Sequence, residues 1–139
     1  MPLLTLERAY STPLCEMVLQ TMGPVLTVVC SGHLDAISAT RMATGVTALR
    51  RNQAKVYLFL NWYKITGYDT EARKILTNYK KANQRKDDES FVLVGSKIVA
   101  MGVTAANAVL GGNMQITSDP QVFDKQRNEV LAKIGSSVI

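Results

Sequence analysis

The sequence predicts a single α/β domain: a mixed, mostly parallel sheet with an N-terminal β-hairpin and about four helices. Three observations carry this expectation. Short apolar runs, "AKVYLFL" (54–60), "FVLVG" (91–95) and "MQIT" (114–117), alternate with stretches of helical periodicity. Alternation of that kind implies parallel strands joined by right-handed crossovers. Ahead of them, "CEMVLQT" and "VLTVVCSG" flank "MGPV", a Gly-Pro turn between β-branched runs that reads as a hairpin. Finally, 139 residues suit one domain able to bury roughly two-thirds of its unfolded surface.

Residues 1–13 form a lead-in that ends at Pro13 and has no clear periodicity. An extra edge strand, a disordered tail and an interaction arm are all compatible with it. The domain itself is read as 14–139. After the hairpin, Ala39, Met42, Ala43, Val46 and Leu49 recur at helical spacing behind Asp35, a residue suited to N-capping. Gly45 sits inside this helix at a cost of about 1 kcal/mol against alanine, which points to close packing on the sheet. The run 54–60 lacks strict alternation, as a central strand covered on both faces does. Ala72, Ile75, Leu76 and Tyr79 then mark a second helix, with Arg73, Lys74, Lys80 and Lys81 toward solvent.

A charged connector, "NQRKDDES", leads to the strand at 91–95. Ser96 is placed to cap a third helix whose stripe is Ile98, Met101, Ala105 and Val109, and Gly111-Gly112 ends it. In "SDPQ", Ser118 and Gln121 make a capping box with Pro120 in the first turn. The fourth helix follows, with the stripe Val122, Phe123, Val130, Leu131 and Ile134.

Composition narrows the function classes. The net charge of +5 is spread over pairs such as Arg50–Arg51, Lys80–Lys81 and Arg85–Lys86, without the basic, aromatic-interleaved face of a nucleic-acid binder. Cys15 and Cys30 are too few for a disulfide framework and read as small buried hydrophobes. His33 is the single histidine, which argues against zinc. It is assigned to a partly exposed strand-to-helix turn with no catalytic task. No signal-peptide start and no apolar run near ~20 residues is present, so a cytoplasmic location without membrane insertion is expected. GxSxG and P-loop patterns are absent, and "VGSKIVAMG" lacks the dinucleotide-binding spacing. Neither an acid–base pair nor a cofactor site emerges. The protein is therefore expected to be non-enzymatic. Of Trp62 and Tyr63, at least one is expected to pack between sheet and helices.

The junction "KITGYDTEARKIL" (64–76) is the remaining candidate. A parallel strand's carboxyl end meets a helix N-terminus there, the place where α/β sheets bind ligands. Asp69 or Thr70 can cap the helix, and Glu71 suits its dipole from the first turn. A hydroxyl at that point is also a natural phosphate acceptor, because phosphate adds about −1.5 to −2 charges where the dipole tolerates them.

Three segments in this order resemble the STAS superfamily, the SpoIIAA-like domain of bacterial anti-sigma-factor antagonists. They are "VLTVVCSGHLDAISATRM", where Gly32, Leu34 and Asp35 carry the match, "KVYLFLNWYKITGYDTEARKIL", and "SFVLVGSKIVAMGVTAANAVLGGNMQITSDPQVF". The resemblance covers residues 15 to 134 and implies a STAS-like single domain acting as a signalling switch in transcription regulation. In that family a serine at the helix start is phosphorylated by an anti-sigma kinase partner, which blocks docking. Carried over, Asp69 matches the motif's Asp and Thr70 its first Ser or Thr. Glu71 stands at the usual phosphoacceptor position, Ala72 where Gly is usual, and Asn61 where Asp is frequent. Glutamate cannot be phosphorylated, so Glu71 locks one state, Thr70 serves as acceptor, or the domain is a non-switching scaffold.

The implied function is binding of a partner protein, anti-sigma factor, kinase-like or scaffold. The implied surface is Ile65, Thr66, Gly67, Tyr68, Asp69, Thr70 and Glu71, with Arg73, Lys74 and Lys80 alongside. The alternative is a nucleotide- or lipid-binding domain, or a subunit of a lipid-transport complex, using the same strand-end crevice. The oligomeric state is not encoded in any pattern recognised in the sequence.

Overall fold

The computed structural model describes residues 5–51 and 53–138. Period-two patterning builds the N-terminal half of its sheet. In β2 (Cys15–Met22), Cys15, Met17, Leu19 and Thr21 are buried while Glu16 and Val18 face out. β2 turns at Gly23, whose φ of 58° is the left-handed conformation a tight turn needs, and pairs antiparallel with β3 (Val25–Leu34). Both cysteines are buried and free, as expected.

On the outer side of β2 lies β1 (Thr5–Ser11), antiparallel, running from Thr5 opposite Met22 to Ser11 opposite Glu16. Of the three readings left open for the lead-in, the described part is an edge strand, and residues 1–4 lie outside the described residues. Its alternation is masked in the sequence because Arg8, on the inward row between Leu6 and Tyr10, is exposed.

β3 pairs in parallel with β4 (Tyr57–Tyr68), β4 with β5 (Glu89–Val94), and β5 with β6 (Met114–Thr117), so spatial order follows chain order. Each crossover advances one strand in the same direction. Right-handed connection therefore puts α1 (Ala36–Arg50), α2 (Thr70–Asn83) and α3 (Lys97–Val109) on one face. α4 (Pro120–Val138) follows the last strand and covers the other face.

Two cores result. Leu19, Leu26 and Val28 meet Met42, Val46, Val99 and Val103 on the three-helix side. On the α4 side, Phe59 stacks on Phe91 with centroids 4.4 Å apart, and Phe123 meets Phe59 edge-on at 5.7 Å. Phe59 faces α4 whereas Leu58 and Leu60 pack against the helical core, which is why 54–60 shows no simple alternation. The predicted α/β architecture, the hairpin and the four helices are all present.

Local signals hold at α1. The Asp35 carboxylate accepts the Ser38 N–H at 2.8 Å and the Thr12 hydroxyl at 3.0 Å. Gly45 packs against β2 so closely that a Cβ there would lie 2.6 Å from Leu19 Cδ2.

Three expectations are corrected. β4 continues to Tyr68, well beyond the run 54–60 read as the central strand, because β3 extends beside it and pairs Gly32 with Ile65 and Leu34 with Tyr68. α3 docks through Val99, Gly102 and Val103, leaving Ile98, Met101 and Val109 exposed. The Tyr68 ring decides that rotation: it lies on Gly102, where a Cβ would come within 2.3 Å of the hydroxyl oxygen. In α4 the cap is Asp119, whose Oδ1 accepts the Gln121 N–H at 2.9 Å, in place of the Ser118 box, and Val122 is exposed while Phe123 is buried.

Candidate functional site

At the junction, β4 and β3 end together. The Asp69 N–H donates to the Leu34 carbonyl at 3.0 Å, so the last residue of β3 holds the chain where it leaves the sheet. Asp69 occupies the N-cap position of α2, and its carbonyl accepts the Arg73 N–H at 3.1 Å. Its side chain does not cap. The carboxylate turns to His33, with Oδ1 2.7 Å from Nε2. Gly67 makes room for this contact, since it lies opposite His33 and a Cβ there would sit 3.3 Å from the imidazole Nδ1.

His33 is itself aimed by an irregularity within β3, where the register against β4 shifts between Gly32 and His33. Gly32 has φ of 97°, and a Cβ on it would lie 2.3 Å from the Leu14 carbonyl oxygen. That same oxygen accepts the His33 N–H at 2.8 Å. Only glycine fits this backbone.

No family profile matches the chain, and no curated protein matches it. Among solved structures, one that matches is an uncharacterized protein of the DUF3478 family from Shewanella loihica PV-4, described as having a SpoIIAA-like fold. The two superpose with a TM-score of 0.55 over 88% of this chain and 92% of that one, at 8% sequence identity. The fold is SpoIIAA-like. At that identity the likeness concerns the backbone, and it agrees with the architecture that the STAS resemblance implied.

Within the SpoIIAA-like fold, Asp69, Thr70 and Glu71 are exposed at the end of β4, and Arg73 and Lys74 are exposed on the next turn of α2. Thr66 is also exposed, its hydroxyl 3.4 Å from the Gly32 carbonyl that it donates to. Gly67 and Tyr68 are half-buried. Ile65 is not part of this surface: it is 1% exposed, because strand alternation turns it into the core. Asn61 lies within β4, its side-chain oxygen accepting the Tyr63 N–H at 3.3 Å, and not at the junction. Of the two aromatics, Trp62 packs on the core and Tyr63 is exposed.

Lys80 also departs from its expected place beside Arg73 and Lys74. It turns inward, and its ammonium donates to the Ser90 hydroxyl at 2.5 Å. Burial lowers its pKa from 10.5 to about 8, with Asp88 opposing. Sequence reasoning missed the contact of His33, whose partner Asp69 stands at the N-cap of α2 where the neighbouring strand ends. The one available signal was parallel pairing of 33 with 67, which is invisible while the central strand is read as 54–60. Among the described residues, no cluster of three or more His, Cys, Asp or Glu side chains could hold a metal. No helix among them is long and apolar enough to cross a membrane.

Proposed function

We propose that this SpoIIAA-like domain is a non-enzymatic protein-binding module of a bacterial signalling system, docking its partner through the β4–α2 junction. One observation carries the reading: Asp69, Thr70 and Glu71 stand exposed at a helix start whose N-cap carboxylate is engaged by His33 instead of by the helix. The first-turn amides of α2 and its positive dipole end therefore remain available to a partner's acidic group. Arg73 and Lys74 extend the contact, and exposed charges of this sort govern association rate and specificity more than final affinity. Glu71 supplies a permanent negative charge where the family carries its phosphoacceptor, and Thr70 is the hydroxyl a kinase would modify.

Affinity capture from source cells tests this. The wild-type chain should retain a partner that the double variant Arg73→Glu, Lys74→Glu loses by at least tenfold, with an unchanged thermal melt. Equal capture by the folded variant would refute the surface. Intact mass of the native protein decides the switch: an adduct mapped to Thr70 marks it as the acceptor, and an unmodified chain leaves Glu71 as the fixed charge.

A further inference from the structure

Behind the junction, α2 stands away from the sheet. Among its residues Ala72 is the one fully buried, while Ile75, Leu76 and Tyr79 are half-buried. The space beneath is a cavity of about 110 Å³ walled by Val46, Leu58, Leu60, Trp62, Leu76 and Val103, among others. That is of the order of the ~150 Å³ apolar cavity that stays dry and accepts a benzene ring. Close-packed interiors rarely leave such room.

The cavity does not end in apolar wall. Val46, Leu58, Tyr79 and Lys80 also border a second, more polar cleft of about 190 Å³. Arg50, Arg51, Lys80 and Arg85 line that cleft against one carboxylate, Asp88. The carboxylate is already occupied: it takes Arg50 at 2.6 and 3.0 Å, and the N–H groups of Arg85 at 2.9 Å and Val56 at 3.1 Å. Lys80 has neutral Ser90 as its hydrogen-bond partner and forms no ion pair among the described residues. The buried Arg50 Nε also finds no acceptor. Apolar space thus opens onto donors and positive charge with too few acceptors, a composition typical of a built ligand site.

We propose that the cavity and cleft together bind a small amphiphilic carboxylate, its apolar body in the chamber and its carboxylate on Lys80. The body has the size of one aromatic ring or a short acyl chain of about six to eight carbons, as the volume requires. A carboxylate arriving at Lys80 supplies the counter-charge that the fold withholds, and an ion pair in this half-buried setting is stronger than one in open water. This site is separate from the β4–α2 surface, and neither reading depends on the other.

Trp62, the single tryptophan, lines the chamber and reports its filling. The intact protein would be titrated with octanoate and with octanol while indole fluorescence and heat are followed. Octanoate is expected to bind saturably below millimolar concentration and octanol at least tenfold more weakly. Lys80→Met should weaken octanoate at least tenfold and leave octanol unchanged, and Lys80→Arg should restore much of the loss. Ala106→Phe, which fills the chamber, should abolish both responses in a protein whose circular dichroism is unaltered. No saturable response to octanoate from the folded wild type would overturn the proposal. So would equal affinity for octanoate and octanol with Lys80→Met indifferent.

Discussion

Lys80→Met is expected to stabilise the free protein at neutral pH. In the fold the amine titrates near 8 instead of 10.5 because burial penalises its charged form. That difference corresponds to about 3 kcal/mol of disfavoured charge at pH 7. Methionine fills similar space without the charge, and it forfeits the Ser90 hydrogen bond, worth about 1 kcal/mol. The net gain should be about 1–3 kcal/mol.

The pH dependence has a definite sign. Between about 8 and 10.5 the unfolded chain holds the Lys80 proton that the folded chain has released, so the wild type gains stability as pH rises through that window. The penalty is fully present below about 8. The advantage of the variant should therefore be constant at acid and neutral pH and should vanish by about pH 10. Arg50, Arg51, Arg85 and Asp88 face the same cleft in both proteins and cancel in the comparison. Urea denaturation of both proteins from pH 6 to 10 measures this. A variant less stable than wild type by about 1 kcal/mol at pH 7, or an advantage that persists at pH 10, would show that the amine is not penalised in its site.

Gly32→Ala should lose at least about 2 kcal/mol in the same assay, since φ of 97° and the Leu14 carbonyl both exclude a Cβ; a loss under about 0.5 kcal/mol would contradict the described backbone of β3. Asp88→Asn should cost about 3 kcal/mol, because it leaves the half-buried Arg50 without its counter-charge. Burial favours the neutral Asp88 carboxyl, but the Arg50 guanidinium and the Arg85 and Val56 N–H groups override it and hold the folded pKa below 3.8. Its stabilisation is thus present above the unfolded value and lost as pH falls through the lower folded one, so Asp88→Asn should flatten the acid limb of the stability profile.

Much of the fold is local in origin and was legible. Gly23 turns the hairpin because it tolerates positive φ, Asp35 caps α1 because its carboxylate reaches an N–H three residues on, and Gly45 marks where α1 touches β2. Helical periodicity also places α1, and a short, continuous apolar run places the central strand. α3 was different: it is apolar on two sides, and the contact of Gly102 with Tyr68 selects the side that docks.

The site divides in the same way. That β4 leads into α2 at Asp69-Thr70-Glu71 follows from the order of residues. Whether the Asp69 carboxylate caps its own helix or binds His33 is decided by a strand 36 positions away. Lys80 turns inward to Ser90 on β5, a partner that no helical wheel contains. Hydrogen bonds and periodicities within a few residues are written along the chain. Competition between a local partner and a distant one is settled only when the sheet brings the distant one within reach.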